Sequence, residues 1–394
     1  MTETVETLKA KACEITGLND FGDAWFEQPL AAWAKDLGGP FLSDSGRRFL
    51  ARLAVTNLCR RLEVIDWWTR HPEIDDVPIP AILYITGLER SGTTFLHNLL
   101  ALHPAARPLL RWELMRPAPP PEANSYLTDP RIAEVQASAD RLRGTLLEQM
   151  HWVNADDPEE CTWAALDCTG LLGRSAILFM PTWGRWIAQN DLTPSFLEYR
   201  RLIKLLLWRN PLNSGGHLVL KSPQNSRNVG QFSAAFPEAS FVFTHRDPFR
   251  ICTSSCTMLE HSTASLTSQE DFWRPEGPGV TETIRHLELG LTRMTAFDDA
   301  PGARVTHAAY PALMADPASA IRRIYEQLRF DSPRNLADRI ASFIAAQSAG
   351  KRAPAPKSLP TYGLDHETFL SRPVIATYMR RFAVEPETVR MTGA

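Results

Sequence analysis

Gly87 and Gly92 bracket Leu88, Glu89, Arg90 and Ser91, and the hydroxyls of Thr93 and Thr94 follow at once. An apolar run, Ile82 to Ile85, precedes the loop and reads as a strand. Behind it, Phe95, Leu96, Leu99 and Leu100 fall at helical spacing, so a helix opens at Thr93. A strand, a glycine-bounded loop and a helix N-terminus together offer backbone N–H groups and the positive end of a dipole to an anion. The glycine spacing is that of a Walker A loop, but Thr93 stands where the lysine belongs. In a triphosphatase that lysine reaches the β- and γ-phosphates. A cradle without it suits a ligand with a single 5′-phosphate, and Arg90 adds a cation. An ordinary strand–turn–helix corner would keep the same glycines for geometry alone.

A second set of polar residues follows the same logic. Leu218 to Leu220 and Phe241 to Thr244 read as short buried strands, with helical sequence between them as far as Phe236. That is a βαβ unit with a parallel pair. Lys221 ends the first of these strands, and Arg246 lies just past the second. Asp247 and Pro248 suit the N-cap and first turn of a helix that carries Ser254. Ligands of open α/β sheets bind outside the carboxyl ends of the strands. Lys221, Arg246 and the 87–94 loop are therefore expected to meet at one edge.

Gly-Leu-Glu-Arg-Ser-Gly-Thr-Thr-Phe, from Gly87 to Phe95, resembles the 5′-phosphosulfate loop of sulfotransferases that use 3′-phosphoadenosine 5′-phosphosulfate (PAPS). Arg246 with Ser254 resembles their 3′-phosphate element. The phrases Leu-Lys-Ser-Pro and Thr-His-Arg-Asp-Pro are similar to the bacterial branch called sulfotransferase family 3, over about residues 80–330. The resemblance implies that Arg90, Ser91, Gly92, Thr93, Thr94, Arg246 and Ser254 bind PAPS, without a metal. It also implies that Lys221 stabilises the leaving oxygen. The cytosolic enzymes carry a catalytic histidine two residues after that lysine; here the position is Pro223, which does no acid–base work. The base is expected in the segment His151 to Cys161, where family-3-like proteins carry similar residues. Glu160 and His151 are the leading candidates and Glu159 a further one. Asp157-Pro158 would cap a helix with the glutamates in its first turn, where a role in complementing the helix dipole is the plainer explanation. Of the cytosolic enzymes' C-terminal Arg-Lys-Gly-x-x-Gly run, only Gly350-Lys351-Arg352 has a counterpart.

The elements that must position these groups are legible as patterns. Residues 3–16 carry Val5, Leu8, Ala12 and Ile15 at helical spacing up to Gly17, and 44–70 form a longer amphipathic helix. Helices are expected over 131–150 and over 194–208, the latter with Thr193 as N-cap, and again from Asp316 to Leu328 after a strand at 303–307. The expected fold is α/β, a P-loop-type central parallel sheet flanked by helices. Residues 1–75 form an N-terminal helical segment packed on an α/β domain of 76–394. Residues 260–280 lack a period and read as a mobile loop over the site with Phe272 and Trp273 at its apolar tip. The tryptophans of the middle region, Trp163, Trp183, Trp186 and Trp208, suit a core or a substrate wall.

Composition narrows the class. The chain has 394 residues, 44% of them hydrophobic, and a net charge of −3, so no global basic field favours nucleic acid. Its N-terminus has no basic and apolar signal-peptide regions, and no apolar run reaches a membrane-spanning length of about 18 residues. Six scattered cysteines without a CxxC pair favour neither zinc nor a disulfide framework. A cytoplasmic enzyme acting on a small-molecule or lipid hydroxyl is the reading, with oligomeric state open. The alternatives are a P-loop kinase, which would not need the Arg246–Ser254 pair, and a non-catalytic nucleotide-binding protein of the same fold.

Overall fold

Ile82–Gly87 (β1) is buried along its whole length, which explains a continuous apolar run in place of an alternating one. The computed structural model describes residues 3–141, 143, 154–170, 179–267, 271–349 and 362–387. Four further strands, Ala106–Pro108 (β2), His217–Lys221 (β3), Ala239–His245 (β4) and Val305–Ala309 (β5), join β1 in one parallel sheet. The order is β2-β3-β1-β4-β5, which puts β1 at the centre. Ile85 pairs with Lys221 and Gly87 with Thr244, so the loop after β1, Lys221 and the start of the Arg246 segment leave the sheet at the same edge.

Alternate residues of these strands serve opposite faces. Tyr84, Leu218, Leu220, Phe241 and Phe243 enter one core with the helix Thr193–Trp208. Leu83, Ile85, Val219 and Val242 enter the other with the helices Thr93–Leu100 and Pro317–Leu328. Phe232 is the pivot of the first core, stacked on Tyr84 at 3.9 Å and on Phe236 at 4.5 Å between ring centroids. Phe232→Ala is expected to cost about 3–5 kcal/mol of stability in urea unfolding. A loss below about 1 kcal/mol would show that the cluster repacks around the gap.

The N-terminal residues form three helices, Val5–Thr16, Glu27–Leu37 and Asp44–Arg70. Thr4 caps the first in a reciprocal box with Thr7, and Gly17 (φ 70°) ends it. Leu8 and Ala12 are buried as expected, whereas Ile15 is exposed. The guanidinium of Arg61 ties the third helix to the sheet layer: it donates to the carbonyls of Phe21 and Asp23 and pairs with Glu198 of the helix Thr193–Trp208 at 2.7 Å. Burial pushes the Glu198 carboxyl up to about 7 in spite of Arg61.

Three elements differ from expectation. The 260–280 stretch is not a loop with an exposed tip. Residues 260–263 complete the helix Pro248–Thr263, and 278–280 begin the helix Pro278–Asp298. Phe272 is 1% exposed and stacks on Phe179 at 4.8 Å within the N-terminal helical core. Its ring is worth more buried than displayed. The expected helix over 131–150 spans Pro130–Asp140, with most of its second half outside the described residues. Thr193 begins its helix rather than capping it, and Asp191 accepts from both its N–H and its hydroxyl.

Candidate functional site

The loop after β1 requires its glycines. Gly87 has φ 153°, and a Cβ there would meet the Thr244 hydroxyl at 2.1 Å. Gly92 has φ 91°, and a Cβ would press on the Tyr310 ring at 2.7 Å. The helix Thr93–Leu100 starts on Gly92 without any side-chain cap. Its first N–H groups are therefore left for a ligand. The Ser91 hydroxyl turns inward to the Thr244 hydroxyl at 2.6 Å and braces the loop. Thr93 is buried in the first helical turn. The cradle seen in the sequence is thus formed, and a bulkier loop would fill it.

Lys221, at the end of β3, is fully buried, and its ammonium donates to Glu160 Oε1 at 2.8 Å and to the Thr94 hydroxyl at 3.5 Å. One cation therefore bridges the phosphate loop and a carboxylate. Glu160 is held from the other side. Its N–H donates to Glu159 Oε1 at 2.8 Å, and Glu159 Oε2 accepts from Arg111 at 2.7 Å. Glu159 is 1% exposed and serves as a brace.

The two glutamates do not occupy the first turn of an α-helix. Residues 155–157 turn, and Pro158 forms an isolated antiparallel bridge with Leu110: Arg111 N–H donates to the Asp157 carbonyl at 3.0 Å and Glu159 N–H to the Leu109 carbonyl at 3.0 Å. The backbone groups that a helix would use are taken by this pairing. Glu160 precedes a short 3₁₀ turn, Cys161–Ala164. The turn is pinned by Arg60, which donates to the carbonyls of Leu114 and Trp163, and by Asn57, which donates to that of Ala165. His151 lies outside the described residues, as do Gly350, Lys351 and Arg352.

Arg246 and Ser254 are brought together through Arg90. Arg246 donates to the Arg90 carbonyl at 2.9 Å, and Arg90 Nε donates to the Ser254 hydroxyl at 3.0 Å. The side chain of Arg90 thus sits with the second group rather than over the loop after β1. Asp247 accepts from Phe249 N–H and caps the helix Pro248–Thr263, with Pro248 in its first turn. The Arg246 guanidinium also lies over the Tyr310 ring at 4.0 Å. Burial, and then the charge of Arg246, hold Arg90 below its ordinary range. The two guanidinium groups therefore lie close together beside Ser254.

Three other histidines, His97, His245 and His261, have structural partners. His97 is buried with its Nε2 3.1 Å from the Val219 carbonyl, and burial and then the Lys221 charge push it down to about 3. His245 lies between Tyr378 and His307 and is pushed down to about 3 by burial. His261 contacts the Thr257 carbonyl of its own helix.

A small, partly open cleft lies beside the Cys161 turn. Trp183, Leu192, Phe196 and Tyr199 line one wall, and Asn225 and Asn228 the other. The Tyr199 hydroxyl is buried without a conventional hydrogen-bond partner, with only the Cys161 thiol against it. Sequence patterns pointed to the loop and the basic residues, but nothing in them singled out this cleft beyond its tryptophan.

A family model described as "Sulfotransferase family" matches residues 80–333. The structure of sulfotransferase STF9 from Mycobacterium avium is similar over 98% of both chains, at 25% identity and a TM-score of 0.84. Sulfotransferase STF1 from Mycobacterium tuberculosis H37Rv is similar in fold over 95% of this chain and 99% of its own, at 24% identity and a TM-score of 0.79. No curated protein matches the chain. Both loops and Lys221 lie inside the family match, and the match takes in most of the molecule: the chain belongs to the sulfotransferase family.

Proposed function

We propose that the chain moves a sulfonate from PAPS to the hydroxyl of a small, largely apolar acceptor. The observation that carries this reading is the Lys221–Glu160 pair, 2.8 Å apart and anchored to Thr94 of the phosphate loop. On this reading Glu160 would serve as the acid–base group and Lys221 as the leaving-group cation beside one anion cradle. The residues suit the donor at both ends. The N–H groups of residues 90–94, with the Thr93 and Thr94 hydroxyls, would hold the 5′-phosphate, and Arg246, Arg90 and Ser254 the 3′-phosphate.

In the reaction the acceptor oxygen forms a bond to sulfur as the bond from sulfur to the 5′-phosphate oxygen breaks. Glu160 takes the acceptor proton. Lys221 turns from Glu160 to the oxygen that gains charge, and adenosine 3′,5′-bisphosphate leaves. Oriented, pre-placed charge supplies most of the rate. The acceptor would reach the Lys221–Glu160 pair from the cleft beside Cys161, where Phe196 and Trp183 would cover an apolar body. Among the described residues, no helix is long and apolar enough to cross a membrane.

Adenosine 3′,5′-bisphosphate is expected to raise the melting temperature without magnesium, since a ligand of the folded state stabilises it by mass action. Mg-ATP is expected to do so much less. Arg246→Ala should cost about tenfold to a hundredfold in affinity for the bisphosphate and spare adenosine 5′-phosphosulfate. A larger shift with Mg-ATP would favour a phosphotransferase, and equal losses for both ligands would make Arg246 structural.

A further inference from the structure

The guanidinium that suits the donor's 3′-phosphate already holds an anion. Glu387 Oε1 lies 2.6 Å from Arg246 Nε and Oε2 lies 3.0 Å from a terminal nitrogen of the same fork. Arg250, one turn along the next helix, is 3.8 Å from Oε2. This is the two-point geometry in which a guanidinium binds a carboxylate or a phosphate. The Glu387 carboxylate holds Arg246 above its ordinary range even though burial acts the other way.

The chain that delivers Glu387 is guided to this place. After the helix Pro373–Phe382, Ala383 turns left-handed (φ 49°) and Val384 N–H donates to the Met379 carbonyl at 3.0 Å. Glu387 N–H then donates to Asp247 Oδ2 at 2.9 Å, while the other oxygen of Asp247 caps the helix Pro248–Thr263. The tail is therefore fastened by its backbone next to Arg246, and only its carboxylate occupies the cation. The Glu387 side chain is 25% exposed, so it has a path out to water.

We infer that Glu387 is an internal substitute for the 3′-phosphate, which the bound nucleotide must displace. The inference rests on the donor reading above. A phosphate monoester brings about −1.5 to −2 charges and three acceptor oxygens where the carboxylate brings one charge and two. The phosphate therefore wins the fork, but its net gain is reduced by the contact it replaces. Donor and bisphosphate product share the same 3′-phosphate, so the carboxylate loosens the grip on both and hastens release of the product. A nucleotide without that phosphate leaves Glu387 in place.

The test is calorimetric titration of the full chain and of Glu387→Gln with adenosine 3′,5′-bisphosphate and with adenosine 5′-monophosphate. The variant is expected to bind the bisphosphate about tenfold more tightly and to release it more slowly, with monophosphate affinity unchanged. Equal or weaker bisphosphate binding by Glu387→Gln would overturn the inference alone, and would make Glu387 a support for Arg246. Bisphosphate that binds neither protein would overturn the donor reading and this inference with it.

Discussion

Glu160→Gln is expected to lower kcat by about 10²–10⁴ and to leave the affinity for adenosine 3′,5′-bisphosphate nearly unchanged. The glutamine keeps the size of the side chain and its place before the Cys161 turn, but it accepts no proton from the acceptor. The pH–rate profile should lose the limb that reports ionisation of the base. Glu159→Gln serves as the control: its carboxylate is spent on Arg111 and on the Glu160 N–H, so it acts only through position. A Glu160→Gln enzyme with near-normal turnover would move the base elsewhere, with His151 the next residue to replace.

Lys221→Ala should lower kcat by about 10²–10³ through lost stabilisation of the leaving oxygen, with the base's limb of the pH profile retained. The ammonium is fully buried, so its removal also strands Glu160 beside the cradle. For groups that act as a unit, losses do not add. The Lys221→Ala, Glu160→Gln double variant should therefore be little worse than the poorer single variant, which steady-state kinetics of all three can check. Additive losses would mean that the two side chains work at separate steps.

The central part of this machinery was legible because it is local. A buried strand, two glycines with positive φ and a helix start lie within residues 82–100, and backbone sterics allow few alternatives to Gly87 and Gly92. Lys221 and Arg246 could be placed because parallel strands present their ends at one edge. Asp247 and Pro248 announced their helix by cap chemistry. What escaped depended on contacts between distant residues. Helix-like residues around Asp157 were outweighed by backbone bonds to Leu109, Arg111 and Trp112 around an isolated bridge of Pro158 with Leu110. The apolar character of Phe272 was plain, but whether it faced solvent or a core depended on Phe179 and the N-terminal helices. Glu387 had no local signal at all: it is one acidic residue in a tail, and only the fold delivers it to Arg246.

The bonds from Asn57 and Arg60 to the turn behind Glu160 carry a consequence for how the molecule divides its labour. Both residues lie upstream of the stretch, 80–333, that defines the family. On the reading proposed above, the shared stretch would hold the nucleotide, while the turn beside the acceptor cleft is propped from outside it. Substitutions in the first three helices would therefore be expected to reshape the acceptor side and to leave the proposed donor-binding groups in place.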